Sequence, residues 1–134
     1  MRKLLADHKG IAAIEFGLVM PLLVLMTLIS FDVGRAFFAY TSIQHAASDA
    51  VRMASLHGRE SLSPASVDQI SDYAVSRAVG LDASAIEVII QYNPSDASGA
   101  VVSVEIIYNH ELFVGKMLNL PPLTLAGSAS MTVL

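Results

Sequence analysis

The chain has 134 residues, enough for one modest domain, and 54% of them are hydrophobic, a high share for a soluble protein of this size. A net charge of −4 without a basic patch argues against a nucleic-acid partner bound through its phosphates. There is no cysteine, which excludes disulfides, cysteine-ligated zinc and thiol catalysis, so an exported domain must be stable through packing alone.

Residues 11–31 predict a membrane-spanning helix. They contain one ionisable side chain, Glu15, and at about 1.5 Å per residue they span roughly 30 Å, the thickness of the hydrocarbon core. The preceding residues 1–10 form a basic leader, which by the positive-inside rule keeps the N-terminus cytoplasmic and exports the rest. A cleaved secretory signal is the alternative, but its apolar core is about 7–15 residues and a small-x-small site should follow.

Glu15 is unusual inside an apolar run. A charge in hydrocarbon costs at least a few kcal/mol, so such residues are usually paired or functional. Because Glu15 lies five residues past Gly10, its carboxylate could reach the interface and snorkel or take a proton. Alternatively it meets a cation, and that cation would be the free α-amine produced by a cut just before Ile11.

The residues that follow Gly10 resemble the processing site of a type IV prepilin. Such a site has glycine before the cut, glutamate at the fifth place after it and an aromatic residue at the sixth. Gly10, Glu15, Phe16 and Pro21 match the corresponding positions of the TadE-like minor pilins, or pseudopilins, of the tight-adherence (Tad) pilus system. The resemblance covers about residues 8–55.

Two features further along the chain support the same resemblance. The family tends to have an acidic-x-Gly step after the span, which Asp32-Val33-Gly34 matches. It also tends to have a run of small residues ending in Ala-Arg. Residues 46–52 match that run, with Val51 where alanine is usual.

The resemblance implies that a membrane-bound prepilin peptidase cuts between Gly10 and Ile11. The cut would leave a positive amine on Ile11, one helical turn from Glu15. In assembled pilins the glutamate of one subunit is thought to meet the amine of its neighbour, so Glu15 and Phe16 are the expected assembly and register residues. The expected partners are other minor pilins and major pilin subunits, contacted through the first helix.

Pro21 lies inside the predicted span. It removes the backbone hydrogen bond that the carbonyl of Gly17 would accept, and it tends to kink the helix. The pair Gly17 and Pro21 is therefore a candidate flexible point for drawing the helix out of the bilayer. The alternative is a proline that a membrane helix simply tolerates.

The helical pattern continues past residue 31 with a small-residue face, and Gly58 predicts its end. Residues 11–57 are thus predicted to form one helix, with 32–57 as an exported amphipathic half. The predicted face consists of Ala36, Tyr40, Ile43, Ala47, Ala50 and Ala54. It is expected to pack mainly on the chain's own domain. We interpret Asp32 and Arg35 mainly as membrane-exit residues, which lie where the helix leaves the bilayer, and in second place as an assembly contact.

Residues 58–134 predict a small α+β domain. Ser63 as the cap and Pro64 as the first helical residue predict a second amphipathic helix over 64–80. Alternating runs at 86–92, 101–108 and 123–133 predict a three-stranded antiparallel sheet with one apolar face on the helices. With the long N-terminal helix, this gives a pilin-like α+β fold.

Two expectations concern details of that domain. In the connector 109–122, Phe113, Met117 and Leu118 are predicted to tuck inward. Ile89 and Ile107 fall on the more polar face of the sheet and are candidates for a subunit contact.

No catalytic motif is present. The sequence has no glycine-rich phosphate loop and no nucleophile elbow, and its four histidines are not spaced as metal ligands. We therefore expect a structural and assembly protein without enzyme activity, metal or cofactor. The rival hypothesis is an uncleaved, signal-anchored periplasmic binding module that does not polymerise. The N-terminus of the mature chain separates the two.

Overall fold

A computed structural model describes residues 4–57, 65–94 and 99–134, with side chains from Gly10 onward. It confirms the α+β fold, with a long apolar N-terminal helix, a short second helix and a three-stranded antiparallel sheet. The helices are α1 (Leu4–Leu56), α2 (Val67–Arg77) and α3 (Phe113–Met117), and the strands are β1 (Ile86–Asn93), β2 (Val101–His110) and β3 (Leu123–Thr132).

The 53-residue helix α1 runs without a break through Pro21. It begins at Leu4, earlier than the predicted residue 11, because the leader is rich in good helix formers and a single glycine at residue 10 does not stop it. We call residues 11–31 the apolar segment. Almost every side chain in it is exposed, and the helix is long and apolar enough to cross a membrane.

The hydroxyls within the apolar segment are satisfied by the helix itself. Thr27 Oγ1 donates to the carbonyl of Leu23 at 2.8 Å, and Ser30 Oγ donates to that of Met26 at 2.9 Å. These residues therefore present little unpaired polarity to a lipid environment.

The remaining part of α1, residues 32–56, is the stem, and its small face packs on the chain's own domain. The predicted face is confirmed at four buried positions: Ile43, Ala47, Ala50 and Ala54. It is wrong at Tyr40, which is 44% exposed, while Ala39 is buried instead. Successive helical residues lie about 100° apart, so only the stripe through residue 39 stays on the buried side.

Helix α2 begins at Val67, later than predicted, because a capping box fixes its start. The hydroxyl of Ser66 accepts from the amide of Gln69, and Oε1 of Gln69 accepts from the amide of Ser66 at 3.0 Å. The helix also ends earlier than predicted, at Arg77. The expected stop at Gly58 and the expected cap at residues 63–64 lie outside the described residues.

Two contacts tie α2 and its C-terminal turn to the stem. Arg77 Nε donates to Asp49 Oδ2 at 2.7 Å, and the hydroxyl of Ser42 donates to the carbonyl of Val79 at 3.1 Å. Ile70 and Ala74 are buried at this interface. The amphipathic pattern of the helix thus faces α1, although Val67 at its start is exposed.

The strands pair in the order β1-β2-β3, antiparallel throughout. Val104 lies opposite Ile90 on one side and Ala129 on the other, which sets the register. The side chains of Val102, Val104 and Ile106 are completely buried, as the alternation predicted. The turn between β1 and β2 lies partly outside the described residues, at 95–98.

The prediction for the connector between β2 and β3 is wrong. Phe113, Met117 and Leu118 do not tuck inward but are 57%, 71% and 64% exposed. The short helix α3 turns them away from the sheet, and it buries Gly115 instead. A Cβ at Gly115 would lie 3.1 Å from Leu112 Cβ. The buried side of this turn is therefore too tightly packed to hold the larger side chains.

The direction of β3 shows which end of the sheet faces the apolar segment. Gly127 lies against Ile43 and Gln44, whereas the amide of Leu134 donates to the carbonyl of Ser55 at 3.1 Å. Strand β3 therefore runs alongside the stem in the same direction. At about 3.3 Å per residue in a strand and 1.5 Å in a helix, Leu123 lies roughly level with residue 35. The connector before it is at the end nearest the apolar segment.

A close approach between β3 and α1 centres on Gly127. A Cβ at this position would lie 3.0 Å from the backbone nitrogen of Gln44 and 3.1 Å from the carbonyl carbon of Ile43. The approach also lets Gln44 Nε2 donate to the carbonyl of Ser128 at 3.0 Å. Glycine is required here because helix backbone, not a flexible side chain, occupies the space.

We expect Gly127→Val to destabilise the full chain by about 1–3 kcal/mol, because the added methyls force the sheet off the stem. The measurement is thermal unfolding in detergent micelles followed by near-UV circular dichroism. Ala126→Val is the matched control, since Ala126 is exposed on the opposite face of the same strand. Equal melting temperatures for the two variants would contradict the close-packing explanation.

Candidate assembly and membrane-exit site

The predicted processing and assembly residues lie on one exposed stretch of α1. Ile11 is 52% exposed and Phe16 is 61% exposed, and the side chain of Glu15 also lies on the surface. A Cβ at Gly10 would meet no atom within 4 Å. The stretch is available to another molecule, and the roles of these residues stay predictions.

Gly17 and Pro21 lie on the same exposed helix. A Cβ at Gly17 would meet nothing within 4 Å, so close packing within this chain does not require glycine there. Pro21 lies in the interior of a helix that continues on both sides of it. The proposed flexibility at this pair stays a prediction.

Asp32 has a role that the sequence did not reveal. Its side chain is buried, and its two carboxylate oxygens accept from successive backbone amides of the connector: Oδ1 from Phe113 and Oδ2 from Val114, both at 2.8 Å. These amides open α3, whose N-cap residue, Leu112, offers no side-chain acceptor. Asp32 therefore caps α3 from another element and ties the connector to the first residue after the apolar segment.

The expected pairing of Asp32 with Arg35 is present but weak. Arg35 Nη1 lies 4.0 Å from Asp32 Oδ1, and the arginine side chain is 46% exposed. A long, solvated ion pair contributes little compared with two short hydrogen bonds to a carboxylate. The main partners of Asp32 are thus backbone amides in the same chain, and its membrane-exit and assembly roles remain predictions.

Charge and burial around Asp32 act on two titrating groups. The hydrogen bond from the amide of Val114 is the largest effect on Asp32, and it lowers the pKa of the carboxyl group. Burial raises this pKa, but the amide of Phe113 and the charge of Arg35 lower it further, so the pKa lies below its usual value. Burial lowers the pKa of His110, assisted by Arg35 and opposed by Asp32. The carboxylate is accordingly held in its charged form and the imidazole in its neutral form.

His110 is the second residue that sequence reasoning missed. It is 3% exposed, its Nε2 has no hydrogen-bond partner within the described residues, and its ring centroid lies 5.9 Å from that of Tyr108. A signal was available, because the period-two pattern of β2 through Tyr108 extends by one more step to residue 110. The predicted strand ends at residue 108, two residues short of His110.

An open groove of about 350 Å³ lies beside this cluster, between the stem and the turn that follows α2. Its walls include Phe31, Gly34, Phe38, Gly80 and His110. Gly80 has φ +78°, a backbone conformation that residues with a side chain rarely adopt. A Cβ there would also lie 3.2 Å from Phe38 Cε1, so both the backbone conformation and the close contact favour glycine. Among the described side chains, no three His, Cys, Asp or Glu residues come together as a metal site.

Comparison with known proteins bears on the N-terminal part of this site. Residues 10–52 match the family model described as TadE-like protein. The match includes every predicted processing, assembly, kink and exit residue from Gly10 to Arg35, and it ends before α2. No curated protein and no solved structure matches the chain.

The matched segment confirms the resemblance found in the sequence. Over its apolar segment and most of its stem the chain is similar to the TadE-like family, consistent with a TadE-like protein of Tad pilus systems. The C-terminal domain lies outside the matched residues.

We expect Asp32→Asn to release the connector. An asparagine offers one acceptor oxygen where the carboxylate offers two, and it carries no charge, so the amides of Phe113 and Val114 should exchange with solvent about tenfold faster or more. Hydrogen–deuterium exchange mass spectrometry of the full chain in micelles measures this. Asp72→Asn is the control, since Asp72 is an exposed carboxylate on α2. Unchanged exchange at 113–114 would contradict the capping role.

Proposed function

We propose that this protein is a minor pilin, or pseudopilin, that takes part in assembling or priming a Tad-type adherence pilus. The observation that carries the proposal is the TadE-like match over residues 10–52, on a helix whose apolar segment is almost entirely exposed. The protein would be anchored in the bacterial inner membrane by a single pass. Its N-terminus would be cytoplasmic and its domain periplasmic.

The first step of this function is processing by a prepilin peptidase between Gly10 and Ile11. Support comes from the family match, which begins at Gly10, and from the open space around that glycine. Cleavage would remove the basic leader and create a charged amine one turn from Glu15. The protein acts here as a substrate and carries no catalytic role of its own.

The second step is assembly with other minor pilins and major pilin subunits through α1. Glu15 and Phe16 are exposed, so a neighbouring helix can reach both. A carboxylate in hydrocarbon is costly unless paired, and the new amine of a neighbour would satisfy it only in one axial register. Gly17 and Pro21 would allow the helix to bend as it leaves the bilayer. The stem face is already filled by the domain, so the contact must use other faces of α1 or its apolar segment.

We expect the mature chain to start at Ile11, and only when the prepilin peptidase is present. Mass spectrometry of the N-terminus from strains with and without the peptidase tests this. Gly10→Leu should leave the leader in place, whereas Gly17→Ala, a change at a second open helical glycine, should be processed normally. An intact N-terminus in both strains would contradict the pilin proposal and favour the uncleaved binding module.

We expect Glu15→Ala to be processed normally but to be reduced about tenfold or more in the sheared surface fraction, because the charge that pairs with a neighbour's amine is gone. Quantitative immunoblotting of membrane and sheared fractions gives the ratio. Glu87→Ala, a change at an exposed carboxylate of the domain, is the control and should assemble as the unaltered chain does. Normal incorporation of Glu15→Ala would remove Glu15 from the assembly mechanism.

A further inference from the structure

The connector between β2 and β3 carries a compact set of exposed apolar side chains. Four of them, which we call the apolar tip, are Phe113, Met117, Leu118 and Leu120, each more than half exposed. Polar residues usually occupy a short surface connection of this kind, and large apolar side chains gathered on one are typical of an interaction surface. The core of the domain does not use them.

The position of the apolar tip is fixed relative to the apolar segment of α1. The carboxylate of Asp32 holds the amides of Phe113 and Val114 at 2.8 Å, and Asp32 is the first residue after the apolar segment. The tip also lies at the end of the sheet nearest that segment, as the direction of β3 requires. A domain held in this way presents the tip at the level where α1 would leave a bilayer.

We propose that the apolar tip docks into the outer surface of the same bilayer that α1 crosses. This inference rests on the membrane anchoring in the proposed function but not on pilus assembly. Phe31, the last residue of the apolar segment, is exposed and directly precedes Asp32, whose carboxylate holds the tip. Apolar side chains that insert into the surface of a bilayer are buried about 5–10 Å deep, at the boundary of headgroups and acyl chains. The side chains of Phe113 and its neighbours are long enough to reach this boundary.

The polar residues around the tip fit the same environment. Lys116 is exposed on α3 between the apolar residues, and its Nζ lies 3.6 Å from Glu111 Oε2. A lysine at this depth can place its methylene stem along the apolar surface and its ammonium among lipid phosphates. Pro121 and Pro122 follow, and they present no backbone amide that would need a partner in the interface.

Docking of the tip would hold the domain at two points, the helix and the connector. The whole protein could then neither tilt freely nor rotate about the axis of α1 while it is in the membrane. Extraction of the helix would have to pull the tip out of the lipid as well. The apolar tip thus becomes available to a neighbouring subunit only after the protein has left the bilayer.

Tryptophan scanning of the full chain tests the proposal, because the natural sequence contains no tryptophan. Phe113→Trp places a reporter in the tip, and Met117→Trp is a second reporter in case the first variant does not fold. Phe31→Trp reports on the end of the apolar segment. Val101→Trp reports on an exposed residue at the opposite end of the sheet. Each variant is reconstituted into phosphatidylethanolamine–phosphatidylglycerol vesicles with and without brominated acyl chains.

We expect brominated lipid to quench the tip reporter about twofold or more, close to the Phe31→Trp value, with a blue-shifted emission. The Val101→Trp emission should stay unchanged. Quenching at residue 31 but not at 113 or 117 would overturn the docking proposal and leave the membrane anchor intact. No quenching at residue 31 would overturn both the docking proposal and the membrane anchor. A tip reporter that responds to the protein-to-lipid ratio but not to brominated lipid would show that a second copy covers the tip, which also overturns the proposal.

Discussion

The packing of one face of the stem against the sheet is the interaction on which the rest of this structure depends. The chain has no disulfide, and its core is built largely from small side chains of α1 against Val102, Val104 and Ile106 of β2. Small residues allow the helix and sheet backbones to come close, most clearly at Gly127. Without this contact the sheet would have one bare apolar face, and three strands alone bury too little surface to be stable.

That arrangement makes a single helix serve two environments. Its first half has an apolar surface on all sides, and its second half has one buried face and one polar face. Because no loop separates the two halves, the domain cannot move independently of the apolar segment. Asp32 strengthens the coupling at the boundary, since its carboxylate joins the helix to the connector between β2 and β3. At the end of the domain nearest the apolar segment, these two hydrogen bonds therefore add to the packing of the stem.

Much of the fold could be predicted because it follows from periodicity. A period of 3.6 in the stem and of two in the strands identifies the helix, the three strands and most of the buried residues. Predictions failed where several local signals competed. Ser63 and Ser66 both precede a helical pattern, and only the glutamine at residue 69 decides between them. Tyr40 was assigned to the buried face on spacing alone, although the true stripe passes through Ala39.

The amino-acid sequence alone was sufficient for the fold class, the apolar segment and the TadE-like character of residues 10–52, because each depends on residues close together along the chain. The tertiary structure was needed for the partners of Asp32, which lie more than eighty residues away, and for the buried position of His110. It was also needed for the outward direction of Phe113, Met117 and Leu118. Contacts between distant residues depend on how elements pack, and no spacing pattern within one element records them.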